Sequence, residues 1–347
     1  MTSVVWTLML MVTATALVFH FMPRFSRPDI LFGVTVPEAF VTGAGRTLVS
    51  RYRTIVWVSA AATLAIGLLL RASEDESGRS SMLMMGVGSG NIIVAHVAWQ
   101  LAHRKARAHA VPPSDVRVAS LATRDTSLPG GPLFAAGPFA ILLATALLLY
   151  TYRDDVPAGP DTANPFGQLA FGAIFVTMML TIAVTMARRS RQIAVDGPAA
   201  TAEQRFRRVN VLAPVLTAYA IAIVMSVNTV DSIPAFGGML SVRPWFVMLP
   251  LMLFAFGVNY WMFRVGQGGH RAVAPAARRE IHGDATPDRA WILGGLYYVN
   301  RHDPAMWVEN RFGLGYTLNF GNWRVWLLLV GMMLIPMVAG HLLSSGG

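Results

Sequence analysis

Eight long stretches of this 347-residue chain contain no Asp, Glu, Lys or Arg: Val4–Met22, Thr54–Leu70, Met82–Ala102, Pro132–Tyr150, Phe166–Ala187, Val211–Val230, Trp245–Phe263 and Val325–Leu343. A helix of roughly 20 apolar residues crosses a bilayer core about 30 Å thick. A chain that is 54% hydrophobic and only 13% charged could not keep so much apolar surface in water. The fold class expected is therefore an all-α integral membrane bundle of eight transmembrane helices.

The connections carry the orientation. Residues 23–53, 103–131, 188–210 and 264–324 hold 24 of the 28 Lys and Arg, against 11 acidic residues; the intervening connections hold four basic and seven acidic. Short Arg-rich loops resist translocation. The basic connections are expected in the cytoplasm and both termini outside it. Positive charge follows the first span at Arg24 and Arg27 rather than preceding it, so that span reads as a retained anchor, not a signal peptide.

The same pattern accounts for the pI of about 10.7. Nucleic acid is not implied; the partner expected for these arginines is the bilayer's anionic headgroups, at roughly 1 kcal/mol per residue near the surface. The absence of Cys excludes disulfides, thiol catalysis, thiolate metal sites and Cys lipidation.

Two basic connections end alike, in Arg51-Tyr52-Arg53 and Arg205-Phe206-Arg207. This fits either a four-plus-four repeat or a common membrane-boundary anchor. Thr201-Ala-Glu-Gln204 has the form of a capping box, predicting a helix that starts there and runs into the membrane. Pro138, Pro214, Pro250 and Pro336 mark places where spans can kink.

The third span holds the most polar side chains: Asn91, then His96, Gln100 and His103 on one helical face. The fifth holds Thr177, Thr181 and Thr185, four residues apart. Asn91, His96, Gln100, Thr177 and Thr181 form a candidate polar intramembrane face, and the alternative is helix-to-helix bonding. No carboxylate lies at mid-membrane, which argues against a proton-coupled pump. His270, His282 and His302 lack zinc-like spacing, and Arg301–Pro304 reads as a turn. The residues give no catalytic, cofactor or metal site.

Four segments follow: helices and basic loops over 1–263, a flexible polar linker over 264–290, an aromatic and Gly-rich element over 291–323, and the last helix with its tail over 324–347. From Phe312 to Phe320 large apolar residues alternate with Gly313, Gly315, Thr317 and Asn319, the period of a half-buried strand. With Leu296–Val299 as its partner it predicts a small cytoplasmic β-hairpin. Phe32–Pro37 is expected to pack on it.

The run Gly294-Gly295-Leu296-Tyr297-Tyr298-Val299-Asn300, then Asp303-Pro304, then Arg311 to Phe320, resembles the C-terminal element called domain of unknown function 5808. In bacterial multi-pass membrane proteins that element often accompanies a domain of unknown function 1648 region. Pro28–Pro37, Gly45-Arg46 and Arg51-Tyr52-Arg53 are similar to the start of such proteins. The resemblance implies a bacterial inner-membrane location and an architecture. Its distant kin include toxin-immunity and signalling membrane proteins, which implies a regulatory role.

The candidate cytoplasmic element is Phe32, Gly33, Trp291, Tyr297, Tyr298, Asn300, Asp303, Arg311, Gly313, Gly315, Thr317 and Asn319. The function expected is non-enzymatic: regulatory, immunity-like or scaffolding, through a protein partner that the residues do not identify. The alternative is a facilitator for a small or amphipathic solute.

Overall fold

A computed structural model describes residues 3–72, 79–111, 127–156, 164–188, 197–236, 245–275, 286–312 and 315–345. In chain order the elements are α1 (Ser3–Phe25), β1 (Ile30–Leu31), β2 (Val34–Thr35), α2 (Glu38–Thr42), α3 (Ala44–Ala72), α4 (Arg79–Arg107), α5 (Gly131–Thr151), α6 (Pro165–Ala187), α7 (Gly197–Asp231) and α8 (Trp245–Val265). Then come β3 (Trp291–Ile292), β4 (Tyr297–Tyr298), β5 (Trp307–Glu309), β6 (Tyr316–Leu318) and α9 (Trp323–Ser345). Among the described residues seven helices are long and apolar enough to cross a membrane. Where an eighth span is expected, α8 offers a shorter apolar stretch, Leu249–Val265.

The helices pack in two groups. In the first, α1 lies against α3 and α4, burying Val12, Ala16, Val56, Met84 and Ala95. Gly88 makes that approach close, because a β-carbon there would strike Met11 and Leu8 of α1. In the second, α7 lies against α5 and α6, burying Leu142, Val176, Ala218 and Ala222. The helices thus fall into α1, α3 and α4 on one side and α5, α6 and α7, joined by α8 and α9, on the other. Side chains such as Leu10, Leu133 and Phe256 point outward, 73%, 88% and 67% exposed, as lipid-facing residues must.

Local signals explain some boundaries. Asn164 caps α6, its Oδ1 accepting from the Phe166 and Gly167 amides at 3.0 and 3.4 Å, with Pro165 in the first turn. The capping box at Thr201 is not used: α7 begins four residues earlier at Gly197, and the Thr201 hydroxyl donates back to the Gly197 carbonyl. The two Arg-aromatic-Arg motifs also differ from boundary anchors. Tyr52 and Phe206 are each 2% exposed and turned into the protein, because each finds an aromatic partner there, Phe32 and Tyr316.

The described parts of all four Arg-rich connections gather at one end of the bundle. The Val111 amide donates to the Thr35 carbonyl, Arg205 to Ala272, and Arg271 to Arg24. The strands form three two-stranded antiparallel hairpins at that end, β1–β2, β3–β4 and β5–β6. Their pairing corrects the expected register. Tyr316–Leu318 pairs with Trp307–Glu309, and Tyr297–Tyr298 pairs with Trp291–Ile292, leaving only a parallel bridge between Tyr298 and Asn319. The reason is local: left-handed residues at 293–295 and at Gly315 reverse the chain early, so each strand meets its sequence neighbour first.

Candidate functional site

The polar face of α4 is occupied by partners inside its own helix group. Asn91, 2% exposed, accepts from the Ser59 hydroxyl at 2.8 Å and so joins α4 to α3. Gln100 donates to His96 Nε2 at 3.0 Å, one turn away, and His103 donates from Nδ1 to the Phe32 carbonyl at 2.8 Å. On α6 the hydroxyls of Thr177 and Thr181 bond back to Ala173 and Thr177 of the same helix. Those two threonines edge a crevice of about 350 Å³ between α6 and α9. The structure does not bring the α4 and α6 faces together, since α4 packs on α1 and α3 while α6 packs on α5, α7 and α9.

The Arg-rich end is built differently. Phe32 and Gly33 form the two-residue turn of β1–β2 with φ of 49° and 75°, a turn type that usually selects Asn-Gly. Phe32 holds this left-handed backbone because its ring is completely buried. It lies edge-on to Tyr52 and Trp99 at 5.2 and 4.9 Å. Leu293 and Gly294 repeat the conformation, with φ of 49° and 70°. The two turns meet: a β-carbon on Gly33 would lie 2.7 Å from the Gly294 carbonyl oxygen. Trp99 fixes the meeting point by donating to that same carbonyl at 3.0 Å, with Phe312 against its ring at 4.4 Å.

Two buried guanidinium groups hold the turns in place. Arg311, 3% exposed, donates to the Gly33 carbonyl at 2.8 Å, to the Thr286 carbonyl at 2.6 Å and to Asp288 Oδ1, with its plane over Trp291 at 5.0 Å. Burial pushes its pKa down and Asp288 offsets this, so the group stays a cation. The Ser26 hydroxyl donates to the Arg311 carbonyl at 2.6 Å. Arg27, 5% exposed, donates to Asp29 at 3.1 and 3.0 Å and lies 3.7 Å from Glu309. Its amide donates to Gln267 at 3.2 Å. Gln267 and His270 belong to a buried turn over 266–270, at the start of the stretch expected as a flexible linker; residues 276–285 lie outside the described residues.

The rest of the C-terminal element is centred on Asn319, fully buried. Its amide nitrogen donates to the carbonyls of Asn300, Asp303 and Ala305, and its oxygen accepts from the amides of Asn300 and Gly321, all between 2.9 and 3.1 Å. The Tyr298 hydroxyl donates to Asp303 at 2.9 Å, and the Trp291 indole donates to the Thr286 hydroxyl at 3.0 Å. Gly315 supplies a left-handed turn, and Thr317 pairs with Val308 half-buried. Tyr297 points out, 42% exposed, with Phe320 and Trp326 beside it in a row of edge-on rings. Gly313 lies outside the described residues.

The element touches both helix groups. Gly294 and Phe312 sit on Trp99 of α4. Trp307 donates to Thr185 of α6 at 3.2 Å, and Tyr316 packs on Phe206 of α7. It is a cap that clasps the two groups. Sequence reasoning names its Gly and aromatic residues but misses Ser26, Arg27, Gln267, Asp288 and Glu309. Nothing in a local window distinguishes a buried Arg from the loop arginines around it. Among the described residues no three His, Cys, Asp or Glu side chains gather to hold a metal ion.

Fold and site together define a multi-pass helical membrane protein with a composite cap at its Arg-rich end. Residues 301–326 match a family described as a family of unknown function (DUF5808). No curated protein and no solved structure matches the chain. The matched residues are only part of the cap: Asn319 bonds to Asn300, and Arg311 to Gly33 and Thr286, all outside the match.

Proposed function

We propose that this is a non-enzymatic regulatory or scaffolding protein of a bacterial inner membrane, immunity-like in holding a partner rather than turning over a substrate. In this reading the Arg-rich end faces the cytoplasm. The observation that carries it is the clasp: one folded cap contacts α4 on one side and α6 and α7 on the other. A partner that binds the cap therefore reaches both helix groups, and exposed Tyr297 and Trp326, with half-buried Phe320 between them, offer it a surface. The facilitator reading has less support, because the α4 and α6 polar residues lie in separate packing groups.

The test has two arms. In liposomes, the purified protein passes no ions, sugars or amino acids above empty vesicles. In cells, a photo-crosslinker at position 297 captures one discrete protein, and capture is lost when Asn319→Asp disrupts the cap without blocking membrane insertion. Solute flux that falls with His96→Ala would overturn the proposal in favour of a facilitator.

A further inference from the structure

The Arg-rich end carries a second built feature, away from the cap. Where α1 ends and α3 begins, a cavity of about 670 Å³ opens to the outside of the bundle. Its lining includes Arg24 of α1 and, on one face of α3, Arg46, Ser50, Arg53, Trp57 and Val58; no acidic side chain lines it. Residues 46, 50, 53, 57 and 58 fall on that face because helical neighbours recur at three- and four-residue spacing. The order along the helix matters. Arg46, Ser50 and Arg53 come first, and Trp57 and Val58 follow about 6 Å deeper at 1.5 Å per residue. The groove is thus cationic at the membrane boundary and apolar towards the lipid, with Trp57 and Val58 41% and 62% exposed.

The arginines are positioned yet keep donors unused. Arg53 donates from Nε to the His20 carbonyl at 3.1 Å, which fixes its stem and leaves its terminal nitrogens without partners among the described residues. Trp57 donates to His20 at 3.1 Å, so its ring is held on the groove wall. No salt bridge among the described residues involves Arg24, Arg46 or Arg53. Arg24 and Arg53 lie near enough to repel each other, and no carboxylate among the cavity's lining residues offsets the three arginines. An arginine fork matches a phosphate geometrically as well as electrostatically.

We propose that this groove binds one anionic glycerophospholipid, its phosphate held by Arg24 and Arg53, its headgroup reached by Arg46, and an acyl chain along Trp57 and Val58. The proposal does not depend on the regulatory reading. It commits to a lipid rather than a free anion because the wall below the arginines is apolar and lipid-facing.

The full-length protein in zwitterionic detergent is titrated with phosphatidylglycerol, phosphatidylcholine or inorganic phosphate, and bound lipid is counted by native mass spectrometry. One phosphatidylglycerol is retained per chain, at least fivefold more tightly than phosphatidylcholine. Arg46→Gln weakens retention about fivefold, the equivalent of roughly 1 kcal/mol per basic residue near an anionic surface. Its side chain makes no hydrogen bond among the described residues, so the substitution removes no such bond from the fold. Arg208→Gln, on another basic connection, changes nothing. Equal retention of phosphatidylcholine, an equal effect of Arg208→Gln, or displacement of the lipid by millimolar phosphate would each overturn the proposal.

Discussion

Gly33 and Gly294 face each other so closely that a β-carbon on the first would stand 2.7 Å from the carbonyl oxygen of the second. Both are left-handed, and both follow a bulky apolar residue where such turns usually carry Asn. A Gly33→Ala substitution meets two penalties, the left-handed backbone at roughly 1–2 kcal/mol and the collision. Gly90→Ala is the control, since a β-carbon there meets nothing within 4 Å and a helix interior favours Ala over Gly by up to about 1 kcal/mol. Thermal unfolding in detergent should show opposite signs: a lower midpoint for Gly33→Ala, an unchanged or higher one for Gly90→Ala.

Arg311→Ala leaves Asp288 and two main-chain carbonyls facing a void. Removing one partner of a buried ion pair costs about 3–5 kcal/mol. Arg311→Lys keeps the charge but not the fork, so roughly 1.5–3 kcal/mol, one charged hydrogen bond, is lost. The unfolding midpoints should rank wild type, Lys, Ala. A lysine variant as stable as wild type would show that charge alone matters here.

Asn319→Asp replaces an amide that donates to three carbonyls with a carboxylate that repels them. The cap should open while the helices stay inserted, read as rapid proteolysis between residues 286 and 322 of the membrane-bound protein. Asn319→Ala should be cut more slowly than Asn319→Asp, because it removes the bonds without adding a buried charge.

Two hydroxyl and amide changes separate tying residues from passive ones. Asn91→Ala breaks the Ser59 bond between α3 and α4 and should cost about 1 kcal/mol. Thr181→Val loses only a bond within its own helix and should lie within about 0.5 kcal/mol of wild type. Equal losses from the two would contradict this assignment.

The chain contains no Cys, so single cysteines report sidedness without background. With the Arg-rich end in the cytoplasm, Ser345→Cys should react with an impermeant maleimide on intact spheroplasts and Arg301→Cys only after lysis. The reverse pattern would invert the proposed orientation.

The helices and the shared side of the four basic connections were legible because both depend on long runs of composition. Arg205 and Ala272 end on one side simply because two spans separate them. The hairpin partners were not legible, since the period-two alternation from Phe312 says that a strand exists but not what it pairs with. The left-handed residues at Leu293 and Gly315 decided that. Arg27 and Glu309 were invisible for a related reason: burial of a charge is set by distant residues, here 282 positions apart in the chain. The inward turn of Tyr52 and Phe206 likewise depended on Phe32 and Tyr316 being present to receive them.

The bond between Arg311 and Gly33 spans 278 positions, and that separation has a cost in time as well as in loop entropy. A ribosome adding about 5–20 residues per second needs on the order of tens of seconds to travel from the first partner to the second. Throughout that interval the Phe32 turn has been made but not its counterpart. Closure of this end is therefore a post-insertion event: a nascent chain arrested before residue 294 has Tyr52 and Trp99 to receive Phe32 but leaves open the Gly33 side of the turn, which the finished protein covers.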